Sequence, residues 1–267
     1  WAGADVQRFQ EEPAKDIVLP QSYRVPQAVQ QIADQILNRI PDDRRIKKQW
    51  APRPETGNVD HITSIEDAPL HQSDWLILAR TNDKLIKLKS ILRDMPIYFE
   101  IKGRKSYKTR LYTAIKNYTR WTKGDKLSLS ECKDLFEYLE LDQELKEERM
   151  YDLQEFGYKT TDEWYEVFKS DPEECLYIRE MLRSGEKLDN PARVKLSTIH
   201  AAKGGEATNV LIILDNTKKI REAIDKSEDK QDEEHRVWYV GVTRTKQNLY
   251  IMTAKQEDRG YDIESIT

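Results

Sequence analysis

Two stretches of this chain, Trp75-Leu-Ile-Leu-Ala79 and Val210-Leu-Ile-Ile-Leu214, are apolar at every position. A strand with one face in water alternates apolar and polar residues; a strand with no polar member is covered on both faces, the usual state of a parallel sheet under helices. The neighbouring sequence supplies those helices. Gln27 to Ile40 carries Val29, Ile32, Ala33, Ile36, Leu37 and Ile40 at helical spacing, with Pro26 near its start. Asp83 to Met95 turns Leu85, Leu88, Ile91, Leu92 and Met95 to one side, and Pro96 stops it. Further strands are predicted at Asp16–Leu19, ended by Pro20, and at Ile97–Ile101, Val194–Ile199 and Leu249–Met252. Strands alternating with helices predict an α/β fold, a mostly parallel sheet with helices on both faces.

Between residues 103 and 193 the pattern changes. Leu111, Ala114, Ile115 and Tyr118 form one helical stripe; Cys132, Leu135, Phe136 and Leu139 form another. Thr160-Thr161-Asp162-Glu163 has capping-box spacing ahead of Trp164 and Phe168. Asp171-Pro172-Glu173-Glu174 opens a further helix that Gly185 closes. No strand run occurs here, so the expected organisation is one discontinuous α/β domain, 1–102 with 194–267, interrupted by an all-helical insertion at 103–193. The charged stretch Glu222 to Glu234 is expected to be a loop.

Composition excludes several classes. About a third of the residues are charged, mean hydropathy is −0.82, and no apolar run reaches membrane-span length, nor does a signal peptide appear. Net charge is −4, so any nucleic-acid binding must come from local patches and not from a whole-molecule field. Cys132 and Cys175 lack metal-type spacing and read as reduced packing residues of a cytoplasmic protein. The chain starts at Trp1 and is expected to be an excised piece of a longer protein.

Two segments carry candidate chemistry. Ser197-Thr-Ile-His-Ala-Ala-Lys-Gly-Gly-Glu206 follows a strand, at the carboxyl edge where open α/β sheets bind ligands, although Gly-Gly also suits an ordinary turn. In Glu233 to Lys246, read as a helix, Val237, Val240, Gly241 and Arg244 fall on one face. A guanidinium there is costly without an anion to meet it.

Taken with their order, these segments resemble a known family. "STIHAAKGGE" followed by "VLIIL", and "EEHRVWYVGVTRTK" followed by a strand, resemble motifs V and VI of superfamily 1 helicases of the UvrD/Rep type. "WAGAD" resembles the tail of motif III, "LPQSYR" motif IV and "LILARTN" motif IVa. The resemblance implies the second of two RecA-like domains, with residues 103–193 in the place of the family's accessory subdomain. It implies that Arg24 and Arg244 reach the γ-phosphate of ATP, that Tyr23 packs on the adenine, and that Glu206 accepts a ribose hydroxyl. It implies DNA contacts from Trp1, Arg80, Thr81, Asn82, Thr198 and His200. Bland readings stand beside these: Tyr23 as a core aromatic, Glu206 as a solvated acid, His200 as a structural histidine, and Arg244 as a cation at a helix C-terminus.

The sequence contains no G-x-x-x-x-G-K-[ST] and no Gly-Lys pair, and Asp215 is followed by Asn216, not by a second acid. ATP and Mg2+ would therefore be held by a preceding RecA-like domain of the same polypeptide, and no metal site is expected within this chain. Ala2 departs from the family's usual arginine, and Asp215 to Arg221 replaces a Gly-Phe-Pro loop. The implied activity is that of an ATP-dependent DNA helicase or translocase, 3′→5′, of bacteria or phage, acting on single strands and single/double-strand junctions. The alternative is a non-catalytic DNA-binding or partner-docking module. Two basic runs, Arg44–Lys48 and Lys102–Arg110, are either solvated surface or phosphate contacts.

Overall fold

The computed structural model describes residues 19–45, 50–141, 145–146, 149–255 and 260–263. Seven strands form one sheet: β1 (Asn58–Ile62), β2 (Trp75–Ala79), β3 (Phe99–Ile101), β4 (Arg104–Lys105), β5 (Val194–Thr198), β6 (Ala207–Ile213) and β7 (Thr245–Met252). Their order is β1-β7-β6-β2-β5-β3-β4, and every neighbouring pair is parallel except the β3–β4 hairpin. That hairpin turns on Lys102 and Gly103, both with positive φ (52° and 74°), the backbone of a two-residue turn whose twist suits antiparallel strands.

Helices cover both faces, as the two wholly apolar strands require. On one face α1 (Gln27–Leu37) and α8 (Glu228–Val242) pack Val29, Ile32, Ile36, Val237 and Trp238 onto Leu76, Leu78, Val210, Ile212, Leu249 and Ile251. On the other, α2 (Asn82–Asp94) packs Leu85, Leu88 and Leu92 onto Trp75, Ile77, Leu196, Leu211 and Ile213. Successive residues of β2 and β6 thus serve opposite cores, the period-two geometry of a strand.

Residues 98 to 192 contribute a separate apolar core built on α3 (Thr109–Thr122), α4 (Leu129–Leu139), α5 (Trp164–Val167) and α6 (Pro172–Arg183). It is rich in aromatics: Tyr118 meets Trp121 and Phe168, and Phe136 meets Phe156. The insertion is tied to the sheet domain through Glu174, which accepts from the Arg93 guanidinium (2.7 Å) and the Lys108 backbone N–H (2.6 Å). The Tyr177 hydroxyl donates to the Ile97 carbonyl (2.6 Å). Cys132 and Cys175 are both buried and free.

Several expectations need correction. The stretch 222–234 is not a loop: α7 (Lys218–Lys226) and the start of α8 occupy it. Its charges sit at helical spacing, Lys218 with Glu222 and Arg221 with Asp225, and Thr217 and Ser227 cap the two helices. The segment read as a helix through Lys246 ends at Val242, so Arg244 follows the helix and is not on its buried face. The insertion is not wholly helical, since β4 and a bridge between Leu127 and Tyr151 fall within it. The helix expected after Thr160 has Glu163 as its N-cap and makes no side-chain capping bond there. Strand β1 (Asn58-Val-Asp-His-Ile62) escaped notice because an edge strand needs only one apolar face. The strand expected at Asp16–Leu19 lies outside the described residues apart from Leu19 itself, which is exposed.

Two predictions concern stability. A Cβ on Gly241 would stand 2.7 Å from Ile212 Cδ1 and 3.3 Å from Ile199 Cδ1. Alanine gains about 1 kcal/mol of helix propensity to set against that clash, whereas valine adds bulk and gains nothing. Gly241→Val should therefore lose about 1–3 kcal/mol in urea unfolding, with Gly241→Ala close to neutral. Secondly, burial and the Arg39 guanidinium hold His235 below its ordinary pKa of 6.5 while its Nδ1 and the Tyr261 hydroxyl lie 2.7 Å apart. Below pH 6.5 the unfolded chain then binds a proton that the folded chain refuses, so stability falls with pH through that range. Melting temperature measured from pH 7.5 to 5.5 should drop, and His235→Gln should flatten the slope.

Candidate functional site

The expected site residues separate onto two opposite edges of the sheet. Strand β5 runs into its carboxyl edge at Thr198, and the chain then crosses through residues 199–206 to enter β6 at its amino end. The segment from Ser197 to Glu206 therefore does not lie at one edge. Thr198 and His200 stand at the carboxyl edge and Glu206 at the amino edge. Gly204, with φ +86°, occupies a backbone conformation that side-chain-bearing residues avoid and so permits the crossing turn.

At the amino edge, four charged groups come together from separate parts of the chain. Arg24 precedes α1, Glu206 precedes β6, Arg244 follows α8, and Lys246 is the second residue of β7. Glu206 takes Lys246 Nζ at 2.8 Å and Arg24 Nη1 at 3.6 Å. Its carboxyl group is held below the usual range, chiefly by the Lys246 bond, with Arg24 adding to it. Arg244 is half-buried; its Nε donates to the Val240 carbonyl at 2.9 Å and Nη2 to Thr243 Oγ1 at 3.4 Å. Burial first, and the Arg24 guanidinium second, push Arg244 below its ordinary pKa. Two guanidinium groups thus lie near enough to repel, and among the described residues only Arg24 of the two is ion-paired, to a carboxylate that also serves a lysine. Arg24 Nε is buried and has no hydrogen-bond partner among the described residues.

The Arg244–Val240 bond is a helix C-terminal cap, so the bland reading of this arginine describes half of what it does. It does not account for the second guanidinium beside it. Tyr23 is 87% exposed, which excludes the core-aromatic reading and leaves its ring in solvent next to Arg24.

At the carboxyl edge, β2 and β5 are neighbours with Ala79 opposite Thr198, which brings Arg80, Thr81 and Asn82 beside Thr198 and His200. Arg80 is not a loose surface cation. Its Nε lies 3.0 Å from both oxygens of Glu234, a residue of α8 that is 4% exposed, and Glu234 also accepts from Trp238 Nε1 at 2.8 Å. Arg80 Nη1 lies 3.4 Å from His200 Nδ1. Burial, and then Arg80, lower the His200 pKa, so its ring is neutral near pH 7. Thr198 Oγ1 accepts the Ala201 N–H at 3.3 Å, whereas Thr81 Oγ1 is buried with no partner among the described residues. Asn82 is exposed as the first residue of α2. Trp1 lies outside the described residues.

Asp215, at the end of β6, is paired with Lys84 at 3.0 Å and belongs to the core framework, as its lack of a second acid suggested. Among the described residues no group of three or more histidine, cysteine or acidic side chains could hold a metal ion. Most of the basic run at 102–110 is matched internally: Lys105 donates to the Tyr107 hydroxyl and the Leu188 carbonyl, Lys108 faces Asp171, and Arg110 pairs with Glu137. Arg44 of the other run pairs with Asp232 at 2.7 Å. Two residues of the edges went unread in the sequence, Lys246 and Glu234. The only sign of the second was an acid four residues before Trp238 in an otherwise buried stripe.

No helix among the described residues is long and apolar enough to cross a membrane. No curated protein sequence matches the chain. The family described as the UvrD-like helicase C-terminal domain matches residues 100–256, more than half of the chain and including β3 to β7, the insertion, Glu206 and Arg244. With a seven-stranded, mostly parallel sheet under helices on both faces, consistent with a RecA-like fold, the chain belongs to the UvrD-like helicase C-terminal domain family.

Proposed function

We propose that this chain is the second RecA-like motor domain of an ATP-dependent DNA helicase or translocase, 3′→5′ in direction, in which 103–193 is an inserted accessory unit. ATP and its Mg2+ are held by a first RecA-like domain of the same polypeptide facing the amino edge of this sheet. The single observation that carries the reading is the cluster at that edge: Arg24 and Arg244, from distant parts of the chain, lie near enough to repel, and among the described residues Arg24 shares its one carboxylate, Glu206, with Lys246 while Arg244 has no ion pair.

Such an arrangement fits a polyanion. Incoming phosphates supply the negative charge the rim lacks, and the planar guanidinium forks spread over phosphoryl oxygens as charge develops in the transition state. Glu206 has two tasks. Without nucleotide it is the counter-ion that keeps the cations together, and with nucleotide it is free to accept a ribose hydroxyl. Tyr23, exposed beside Arg24, offers its ring to the base. The metal supplies charge neutralisation between the phosphates and takes its ligands from the facing domain.

The opposite edge is the single-strand path. Arg80, Thr81 and Asn82 from β2 and Thr198 and His200 from β5 are adjacent there. The Thr81 hydroxyl, buried without a partner among the described residues, supports a contact from beyond them. Closure of the cleft on ATP would move this edge relative to the strand, and hydrolysis would release it, so cycles of turnover step the protein along single-stranded DNA.

Arg244→Ala should lower DNA-stimulated ATP hydrolysis by roughly 10³ in the protein that includes the ATP-holding domain. Arg244→Lys, which keeps a cation but not the fork, should recover little of it. Affinity for single-stranded DNA should survive in both, and turnover close to wild type in Arg244→Ala would refute the finger role. Because Tyr23 is exposed, Tyr23→Ala should leave the melting temperature unchanged while raising the KM for ATP by about tenfold, the scale of one lost base–aromatic stack.

A further inference from the structure

The carboxyl edge contains a chain of three side chains from three separate elements, and its innermost member has no assigned role. Glu234 sits on α8, is almost wholly buried, and binds Arg80 Nε through both carboxylate oxygens at 3.0 Å. Trp238, one turn further along α8, donates its indole N–H to the same carboxylate at 2.8 Å. A buried carboxylate is tolerated only with such partners, and here they leave it little freedom to move. Arg80 is therefore held by its Nε, with its Nη1 delivered 3.4 Å from Nδ1 of His200.

The chemistry of that last contact is restrictive. A guanidinium has five N–H groups and no acceptor, so it can only donate. Nδ1 of His200 must then be the unprotonated nitrogen, and the ring proton must sit on Nε2. Protonating Nδ1 would set two cations against each other at this distance. We infer that Glu234 is a positioning residue which, through Arg80, fixes His200 as the neutral Nε2–H tautomer and so makes it a single uncharged hydrogen-bond donor at the carboxyl edge. A donor of that kind suits an acceptor atom on a single nucleic-acid strand, either a base carbonyl or ring nitrogen or a phosphate oxygen. This last step rests on the DNA-facing reading of that edge; the tautomer assignment does not.

The arrangement also separates two kinds of contact. Arg80 already has a buried anion, so its attraction for phosphate is partly neutralised. His200 offers direction without charge. An edge built this way holds a strand by geometry more than by net charge, which suits a chain whose overall charge is −4.

The test labels the histidines of the full chain with ¹⁵N and records their ring signals near pH 7.5. Of the four histidines, His200 is assigned with a His200→Gln variant. Wild type should show His200 with Nδ1 unprotonated and the proton on Nε2. Glu234→Gln, which removes one acceptor oxygen and the negative charge, should shift it to a mixture of tautomers while the His235 signal, one residue from the substitution, reports that α8 remains folded. Arg80→Lys keeps a cation but loses the fork, and should give the same shift with the buried acid itself left in place. Affinity for a short single-stranded oligonucleotide, followed by anisotropy, should fall roughly three- to tenfold in Glu234→Gln, as expected for one hydrogen bond to a charged network. His200 protonated on Nδ1 in wild type, or unmoved in both variants, overturns the inference. A tautomer shift with unchanged oligonucleotide affinity upholds the positioning role and instead removes His200 from the DNA path.

Discussion

The packing of α8 along the sheet is the constraint on which both edges depend. The chain leaves β6 at the carboxyl edge and enters β7 at the amino edge, so α8 must span the width of the sheet between them. From Glu234 to Val242 that is roughly 12 Å of helix at 1.5 Å per residue. Trp238, fully buried, and Gly241, whose missing Cβ makes way for the side chains of Ile212 and Ile199, let it lie close to the sheet. One rigid rod therefore presents Glu234 to Arg80 at one end and leads into Arg244 at the other.

The fold was largely legible because its strongest signals were the ones least open to tertiary override. Strand β2, apolar throughout, and the apolar run from Val210 in β6 could only be central, and the stripes of α1 and α2 could only be covering helices. The losses came where a pattern has two physical solutions. A run such as Glu222 to Glu234 is a solvated loop when nothing orders it, and a helix when its charges fall three and four apart behind Thr217 and Ser227 caps. Strand β1 alternates weakly because only one neighbour, β7, pairs with it. The helix end at Val242 was misplaced because Thr243 to Lys246 hold no glycine or proline to mark a stop.

The site was legible in composition but not in geometry. Arg24, Glu206 and Arg244 were expected to share a ligand, and they do share an edge; Arg80 and His200 were expected at one edge, and they touch. What no spacing could show was that Ser197 to Glu206 crosses the sheet, because a loop's length does not say which end of the next strand it reaches. Lys246 and Glu234 were missed for a related reason. Glu234 acts through Arg80, 154 residues away, and Lys246 through Glu206, just ahead of the neighbouring strand β6.

The two kinds of arginine can be told apart by what meets them. Arg80 has a buried carboxylate at hydrogen-bond distance from a nitrogen that cannot rotate away, and removing that partner would leave an uncompensated charge, a loss of about 3–5 kcal/mol for a buried pair. Its position is thus set by the fold before any ligand arrives. Arg24 and Arg244 face the opposite balance. Among the described residues Arg24 shares Glu206 with Lys246 and keeps one buried guanidinium nitrogen without a partner, Arg244 has no ion pair, and burial first and Arg24 second lower the pKa of Arg244. Holding two cations close together at a half-buried rim costs free energy that an anion between them would offset. The two edges that α8 connects thus differ in how their guanidinium groups are paired among the described residues.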